Sequence, residues 1–462
     1  MRHPATVLKP VSSILVLLLA LLAPGAASGQ AVFDPWVFWT EVSVHQLHLP
    51  NDQILFWAYS GFSAWLWDPA APVPFIEVPN LDSNTFCSGH AGLADGSYLV
   101  GGGIDLPTFT SDAADIFDVS TNPGTWIPQA TMAAERFYPT LTTLGDGRVI
   151  AIGGTGSFVP EIFDPAANTW TPLPGALFAP GVYPFMFLLP DGRLFFSGPS
   201  TNTGTLDIGT QTWTFGIPSV NDGASAVMYA PGKVMKCGGF AVSNALTETI
   251  DMNAATPAWA PASNMAFERH DHSLTILPNG KVVAVGGHDS ADVVVLPAEE
   301  FDPRTGTWTT TASLGIPRQY HSTSMLLRDG RVLVGGGDGF ASVEIYNPDY
   351  VFAASRPAIT SVTAQITYGQ TFNLKWTAKS LIRRVTFVRL GAETHSFDQN
   401  QRFMDLASVQ VGPIGATPGG TFAGTLGVTA PANGNVAPPG YYMIFAVDQQ
   451  GVPSVGEYVR IN

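Results

Sequence analysis

The 462-residue chain sets 21 Lys and Arg against 36 Asp and Glu, a net charge of −15 with no basic stripe to offset it, which excludes a nucleic-acid partner. Only 12% of residues are charged and 45% are hydrophobic, so the chain has enough apolar material for a large core. Its 48 glycines and 37 prolines follow no short period, which points to many turns between short strands and not to a collagenous or disordered chain.

At the N-terminus, Arg2 and Lys9 precede an apolar run from about Ile14 to Ala23, and the small residues Ala26, Ala27, Ser28 and Gly29 follow. This is the pattern of a secretory signal, residues 1–29, too short for a comfortable membrane span. No later stretch reaches about eighteen continuous apolar residues, so the mature protein is expected to be exported, extracellular and free of the membrane.

From residue 30 to residue 354 one unit recurs. Two apolar strands flank a tight turn at HQLHLPNDQILFWAY, HAGLADGSYLVGGG, YPTLTTLGDGRVIAIGG, YPFMFLLPDGRLFFSGP, SAVMYAPGKVMKCGG, HSLTILPNGKVVAVGG and HSTSMLLRDGRVLVGGG. The Asp-Gly and Asn-Gly pairs supply the positive backbone angles such turns need. A glycine doublet often closes the second strand, and Trp126, Trp170, Trp213, Trp259 and Trp308 end comparable phrases further on. This period matches a four-stranded blade of a Kelch-type β-propeller, and seven hairpins imply seven blades. The first copy is degenerate, lacking the doublet. The two cysteines, Cys87 and Cys237, fall in different repeats, so no disulfide between them is expected. After about Arg356 the turn–doublet–Trp phrase stops while strand-like alternation continues; residues 355–462 read as a small immunoglobulin-like β-sandwich. The expected fold is therefore all-β, a seven-bladed propeller followed by a sandwich.

The hairpins share a register. Eight residues before the turn aspartate stand Cys87, Tyr138 and His321, with Tyr320 just ahead of the last. The equivalent places read Val44, Cys87, Tyr138, Tyr183, Gly223, Asp271 and His321 around the ring. If the units surround an axis, these groups converge at one end of it. Each has a bland reading: a buried thiol is usually inert packing, and an aromatic or His at a strand entrance is usually structural. Together, an imidazole and phenols on one rim suit a tetragonal Cu(II) site. Two ligands hold a metal poorly, and position alone nominates Tyr138 as a further donor.

The segments FCSGHAGLADGSYLVGGG, ERFYPTLTTLGDGRVIAIGG, RQYHSTSMLLRDGRVLVGGGDG, RLGAETHSFDQNQR and PPGYYMIFAVDQQGVPSV together resemble the copper radical oxidases, the galactose oxidase and glyoxal oxidase family, over almost all of the mature chain. The resemblance implies one copper per chain, held by Tyr138, Tyr320, His321 and, from the C-terminal domain, His395. It implies a thioether joining Cys87 to Tyr138 as a self-derived radical cofactor, with Tyr320 as general base. The implied reaction is oxidation of a small aldehyde or primary alcohol by O2, giving the carboxylic acid or aldehyde and hydrogen peroxide, in a monomer with no other partner.

Two departures bear on substrate and radical. Where galactose-oxidising members carry a shielding Trp, this chain has Gly156, with Phe158 as a nearby aromatic. Where they carry an Arg for sugar hydroxyls, it reads Gly181-Val182-Tyr183-Pro184. Glyoxal-oxidase-like chemistry is therefore expected in place of galactose specificity. The competing reading is a non-catalytic propeller for binding or adhesion with a vestigial copper site.

Overall fold

The computed structural model describes residues 30–462, Pro418 excepted; the expected signal segment lies outside them. Seven radial sheets form a ring, and a two-sheet sandwich follows. Among the described residues there is no α-helix, only two short 3-10 turns at Pro174–Ala176 and Asp349–Phe352. Among the described residues no helix is long and apolar enough to cross a membrane.

Each blade follows from its local sequence. In blade 3, Thr140–Thr143 pairs with Val149–Ile152, which pairs with Glu161–Asp164, which pairs with Thr169–Pro172. The two inner strands are wholly buried, because neighbouring blades cover both faces. The turn is set by Asp146, whose carboxylate accepts from Arg148 N–H at 3.1 Å, while Gly147 takes φ 90°. The glycine doublet admits the next blade. A Cβ on Gly102 would lie 2.7 Å from Arg136 O, and one on Gly153 would lie 2.8 Å from Gly181 O. Side chains there would hold the blades apart.

The recurring tryptophans are latches between blades. Trp126 donates to Val78 O, Trp170 to Ala130 O and Trp213 to Ala176 O, at 2.8–2.9 Å. Trp259 and Trp308 donate to Thr203 and Thr247 hydroxyls at 3.0 Å. Each partner belongs to the preceding blade, so one repeated residue fastens each of blades 2 to 6 to its neighbour, at about 1 kcal/mol per bond.

The degenerate first hairpin is a full blade, His45–His48, Ile54–Trp57, Ala64–Asp68 and Ala71–Glu77. Blade 7 has three strands of its own, Ser322–Leu326, Val332–Gly336 and Ser342–Asn347. Its outer edge is covered by N-terminal residues, with Val32 opposite Asn347 and Val37 opposite Val343. The two ends of the ring are thus stitched together, and that edge strand is paired.

The sandwich packs Ala358–Val362, Thr371–Ala378, Thr421–Thr429 and Ser408–Thr417 against a second sheet of Gln365–Ile366, Glu457–Ile461, Gly440–Asp448, Ile382–Arg389 and Phe403–Leu406. Along Thr371–Ala378 every second residue is buried, the signature of a strand with one wet face. Phe372, Leu374, Trp376, Phe387 and Tyr442 fill the layer between the sheets. Between Arg389 and Phe403 the chain leaves the sandwich. Ala392–Thr394 pairs with the innermost strand of blade 1, with His45 opposite Thr394, and Phe397–Asp398 folds back on it. This finger runs inside the propeller.

Candidate metal centre

Six places of the shared register adopt one backbone conformation. Cys87 (φ 60°), Tyr138 (63°), Tyr183 (39°), Gly223 (79°), Asp271 (53°) and His321 (64°) are all left-handed, and Val44 alone departs from it. For a residue with a Cβ this costs about 1–2 kcal/mol. Recurrence at equivalent places marks a built kink that turns each side chain out of the sheet before the inner strand starts. Neighbouring kinks are bonded, Tyr138 N–H to Cys87 O at 2.9 Å and Tyr183 N–H to Tyr138 O at 2.8 Å.

The kinks bring the five residues expected from the sequence together. Cys87 and Tyr138 stand on adjacent bonded turns, and the Cys87 thiol lies 3.8 Å from His395 Nε2. Ligand atoms of Cys87, His321 and His395 all lie within 4.8 Å of one another. The Tyr138 and Tyr320 hydroxyls are 2.9 Å apart. His395 packs its ring on Tyr138, Tyr320 and His321, with centroids 4.9, 5.2 and 4.6 Å away. His395 is there because the finger carries it; Thr394 Oγ1 donates to Val44 O at 2.9 Å and so ties the finger to blade 1.

The hydrogen bonds assign both imidazole tautomers. The Thr394 hydroxyl has given its proton to Val44 O, so at 2.6 Å it accepts from His395 Nδ1–H. The Asp338 carboxylate accepts from His321 Nδ1–H at 2.6 Å and from the Tyr59 hydroxyl at 2.7 Å. Both rings therefore present a bare Nε2 to the same small volume, and that of His321 is buried without a protein partner.

Burial sets the charge of the site. It pushes the Cys87 thiol and the Tyr138 and Tyr320 phenols up. It holds His395 well below 6.5, with His321 adding to the effect, and lowers His321 despite the Asp338 bond. The donors are neutral until a cation arrives, and a bound dication reverses that logic for phenols. Two bare imidazole nitrogens, one of them buried without a protein partner, and two phenols fit a Cu(II) ion of N,O ligation.

Sequence reasoning missed the residues that hold the donors. Asp338 follows directly after the glycines of blade 7 (GGGDG), a visible signal that was not read as a His anchor. His45 accepts Cys87 N–H at Nε2, 3.0 Å, and therefore donates from Nδ1 to His90 Nε2, 2.8 Å, beneath the thiol. The aromatic cover also differs from expectation. Phe158 is exposed, and a Cβ on Gly156 would run into Glu135 O. Phe137 lies against Tyr138 with centroids 4.0 Å apart, and Tyr183 meets it edge-on at 4.9 Å.

Tyr138, Tyr320 and His395 open onto a cavity of about 260 Å³ whose other walls include Val182, Tyr183, Phe240, His270 and Asp271. A larger cleft, about 770 Å³, lies at the hairpin-turn end of blades 2 and 3 against the C-terminal domain; no imidazole or thiol lines it. Chemistry, not size, therefore favours the smaller cavity.

Residues 356–461 match the model of the galactose oxidase-like early set domain. A galactose oxidase of Gibberella zeae is 29% identical over 451 residues, covering 86% of this chain and 64% of that protein. The chain thus spans just under two thirds of the length of that relative. The aldehyde oxidase GLOX of Vitis pseudoreticulata is 28% identical, covering 82% of both chains. The aldehyde oxidase GLOX1 of Arabidopsis thaliana is also 28% identical, covering 82% of this chain and 72% of that protein. A solved fungal alcohol oxidase of the AA5 family, in complex with copper, shares the fold at a TM-score of 0.80 and 24% identity, covering 94% of this chain and all of that one. The family resemblance read from the sequence holds.

Proposed function

We propose that this chain, similar to galactose oxidases and aldehyde oxidases over most of its length, is an exported mononuclear copper radical oxidase. It would oxidise small aldehydes or primary alcohols, passing two electrons and two protons to O2 to give hydrogen peroxide. The observation that carries the proposal is the convergence of two bare Nε2 atoms, two phenol oxygens and a thiol at one point, with both imidazoles held by their far nitrogens.

Tyr138, Tyr320, His321 and His395 would hold the ion. Bound there, Cu(II) supplies a Lewis acid and one of the two oxidising equivalents. The second must come from the protein. A thioether between Cys87 Sγ and the Tyr138 ring would make that phenol easier to oxidise and spread the unpaired electron onto sulfur. Its formation removes the thiol hydrogen and one ring hydrogen, with O2 as oxidant. Phe137 and Tyr183 pack against the Tyr138 ring and cover part of it. Tyr320 lines the cavity, is 38% exposed and shares a hydrogen bond with Tyr138. Its oxygen is placed to take the hydroxyl proton of a substrate. His45 holds the Cys87 backbone in its left-handed turn and so aims the sulfur.

Denaturing mass spectrometry after aerobic copper loading is the test. The wild-type chain should become lighter by the mass of two hydrogens, with Cys87 and Tyr138 in one linked peptide, and Cys87→Ser should not. Peroxide release should accompany the crosslink and fall at least about a thousandfold in Cys87→Ser. A free Cys87 thiol after loading would overturn the radical-oxidase reading and leave the binding-protein reading in place.

A further inference from the structure

The cavity beside the donors carries a charge that the reaction does not use. Asp271 occupies the blade 6 place of the register that elsewhere carries Cys87, Tyr138 and His321, and it lines the same cavity as Tyr138, Tyr320 and His395. Its carboxylate is flanked by two imidazoles, with His270 Nε2 3.2 Å from Oδ1 and His288 Nε2 3.4 Å from Oδ2. The two rings stack with centroids 5.3 Å apart, and Phe240 stacks on His270 at 5.4 Å. A carboxylate has about four acceptor positions. The neutral His288 ring gives its Nδ1–H to Asp289 O at 3.0 Å and has no proton on Nε2 to donate, so at most His270 occupies one of them. Acceptors therefore remain for a ligand, in a pocket only big enough for a small molecule.

We infer that Asp271 selects the substrate: it accepts a hydrogen bond from a second hydroxyl of a small neutral substrate and repels substrates that carry a carboxylate. The inference rests on the oxidase reading above and narrows its substrate class to short diols, α-hydroxy aldehydes and aldehyde hydrates. A hydroxyl suits this wall because it can donate to the fixed acceptor while the carbon chain lies against Val182 and Phe240. An anion brought within about 4–5 Å of the carboxylate is repelled, and more strongly where the pocket walls exclude bulk water.

Glycolaldehyde and glyoxylate are matched probes, since one carries a hydroxymethyl group where the other carries a carboxylate. In the copper-loaded enzyme at mildly alkaline pH, peroxide release should give a KM for glyoxylate at least about tenfold above that for glycolaldehyde. In Asp271→Asn the ratio should collapse or invert, chiefly through KM. Asn tolerates the left-handed backbone, and Asp271→Gly, matching Gly223 of blade 5, gives a second variant with the charge removed. Saturation-transfer NMR on the copper-free protein reads the same selection without turnover, with contact to glycolaldehyde and none to glyoxylate. No peroxide from any substrate, with that NMR selection intact, would count against the oxidase reading alone. Equal use of the two probes by the wild type, or a preference unchanged in both variants, would overturn the role of Asp271.

Discussion

In blades 2, 3 and 7 the left-handed turn presents Cys87, Tyr138 and His321 to the candidate metal centre; in blades 4 and 6 the same turn presents Tyr183 and Asp271 to the cavity beside it, and in blade 5 it carries Gly223, next to the cavity-lining Ala224. The backbone is shared and only the side chain differs. The ring therefore divides into a half that binds and a half that shapes, without any change of fold. The supporting residues are of two kinds. Around the donors they are His45, Asp338 and Thr394, which hold atoms in place through short hydrogen bonds. Under the turns of blades 3, 6 and 7 they are buried ion pairs, Arg136–Glu161, Arg269–Glu299 and Arg318–Glu344. Those pairs recur on both sides of the divide and belong to the frame.

The largest effect should come from breaking the frame in the cavity half. Arg269 bonds to Glu299 at 2.9 Å and to Gly286 O at 2.6 Å, both buried, and to Pro297 O at 2.6 Å, half-buried. Arg269→Leu leaves Glu299 buried without its cation and should cost about 3–5 kcal/mol in urea unfolding. Adding Glu299→Leu should recover much of the loss. No recovery would mean that the guanidinium matters for its carbonyl bonds, not for the charge.

In the binding half, Asp338→Asn should leave unfolding unchanged within about 0.5 kcal/mol, since the carboxylate is exposed. It should weaken copper binding about 10–100-fold, read by competition with a chelator, because an amide replaces the carboxylate that holds His321 Nδ1–H. Unchanged affinity would remove Asp338 from the site.

pH separates the halves more gently. His45, His90 and His395 around the donors, and the buried His272, are held below 6.5 by burial. In the unfolded chain they take up protons as the pH falls through about 6.5, so their contribution is present above that value and lost below it. His270, beside Asp271, is raised through that bond and has the opposite sign: its contribution is full below 6.5 and fades as the pH rises through its folded value. Glu393, raised by burial and by Asp398, and Asp398, pushed up to about 6 by burial, are also favoured by acid. The imidazoles outnumber these groups. The copper-free protein should lose roughly 1–2 kcal/mol over the first pH unit below 6.5, seen as a lower Tm.

Blade count and register were legible because both arise from local chemistry that recurs in most units: a Gly-containing turn, a doublet that admits the neighbour, and a latch Trp. Phe137 as cover for Tyr138 was not legible, because sequence offers no distance between rings on adjacent turns. Closure of blade 7 by Val32–Phe33 was hidden for a related reason. Those residues carry no part of the repeated phrase, and their partner Asn347 lies at the far end of the ring.

By itself, then, the sequence determined the repeated unit, the places where reactive side chains recur and, through family resemblance, the identity of His395. Only the tertiary structure decided that these places share one left-handed turn, that the finger of the second domain lies against His45, and which nitrogen of each imidazole is bare. Short-range patterns specify turns and strands because they depend on neighbours along the chain. Convergence and tautomer depend on ring closure and on contacts such as His321–Asp338 and Thr394–Val44, whose geometry exists only once the chain has packed.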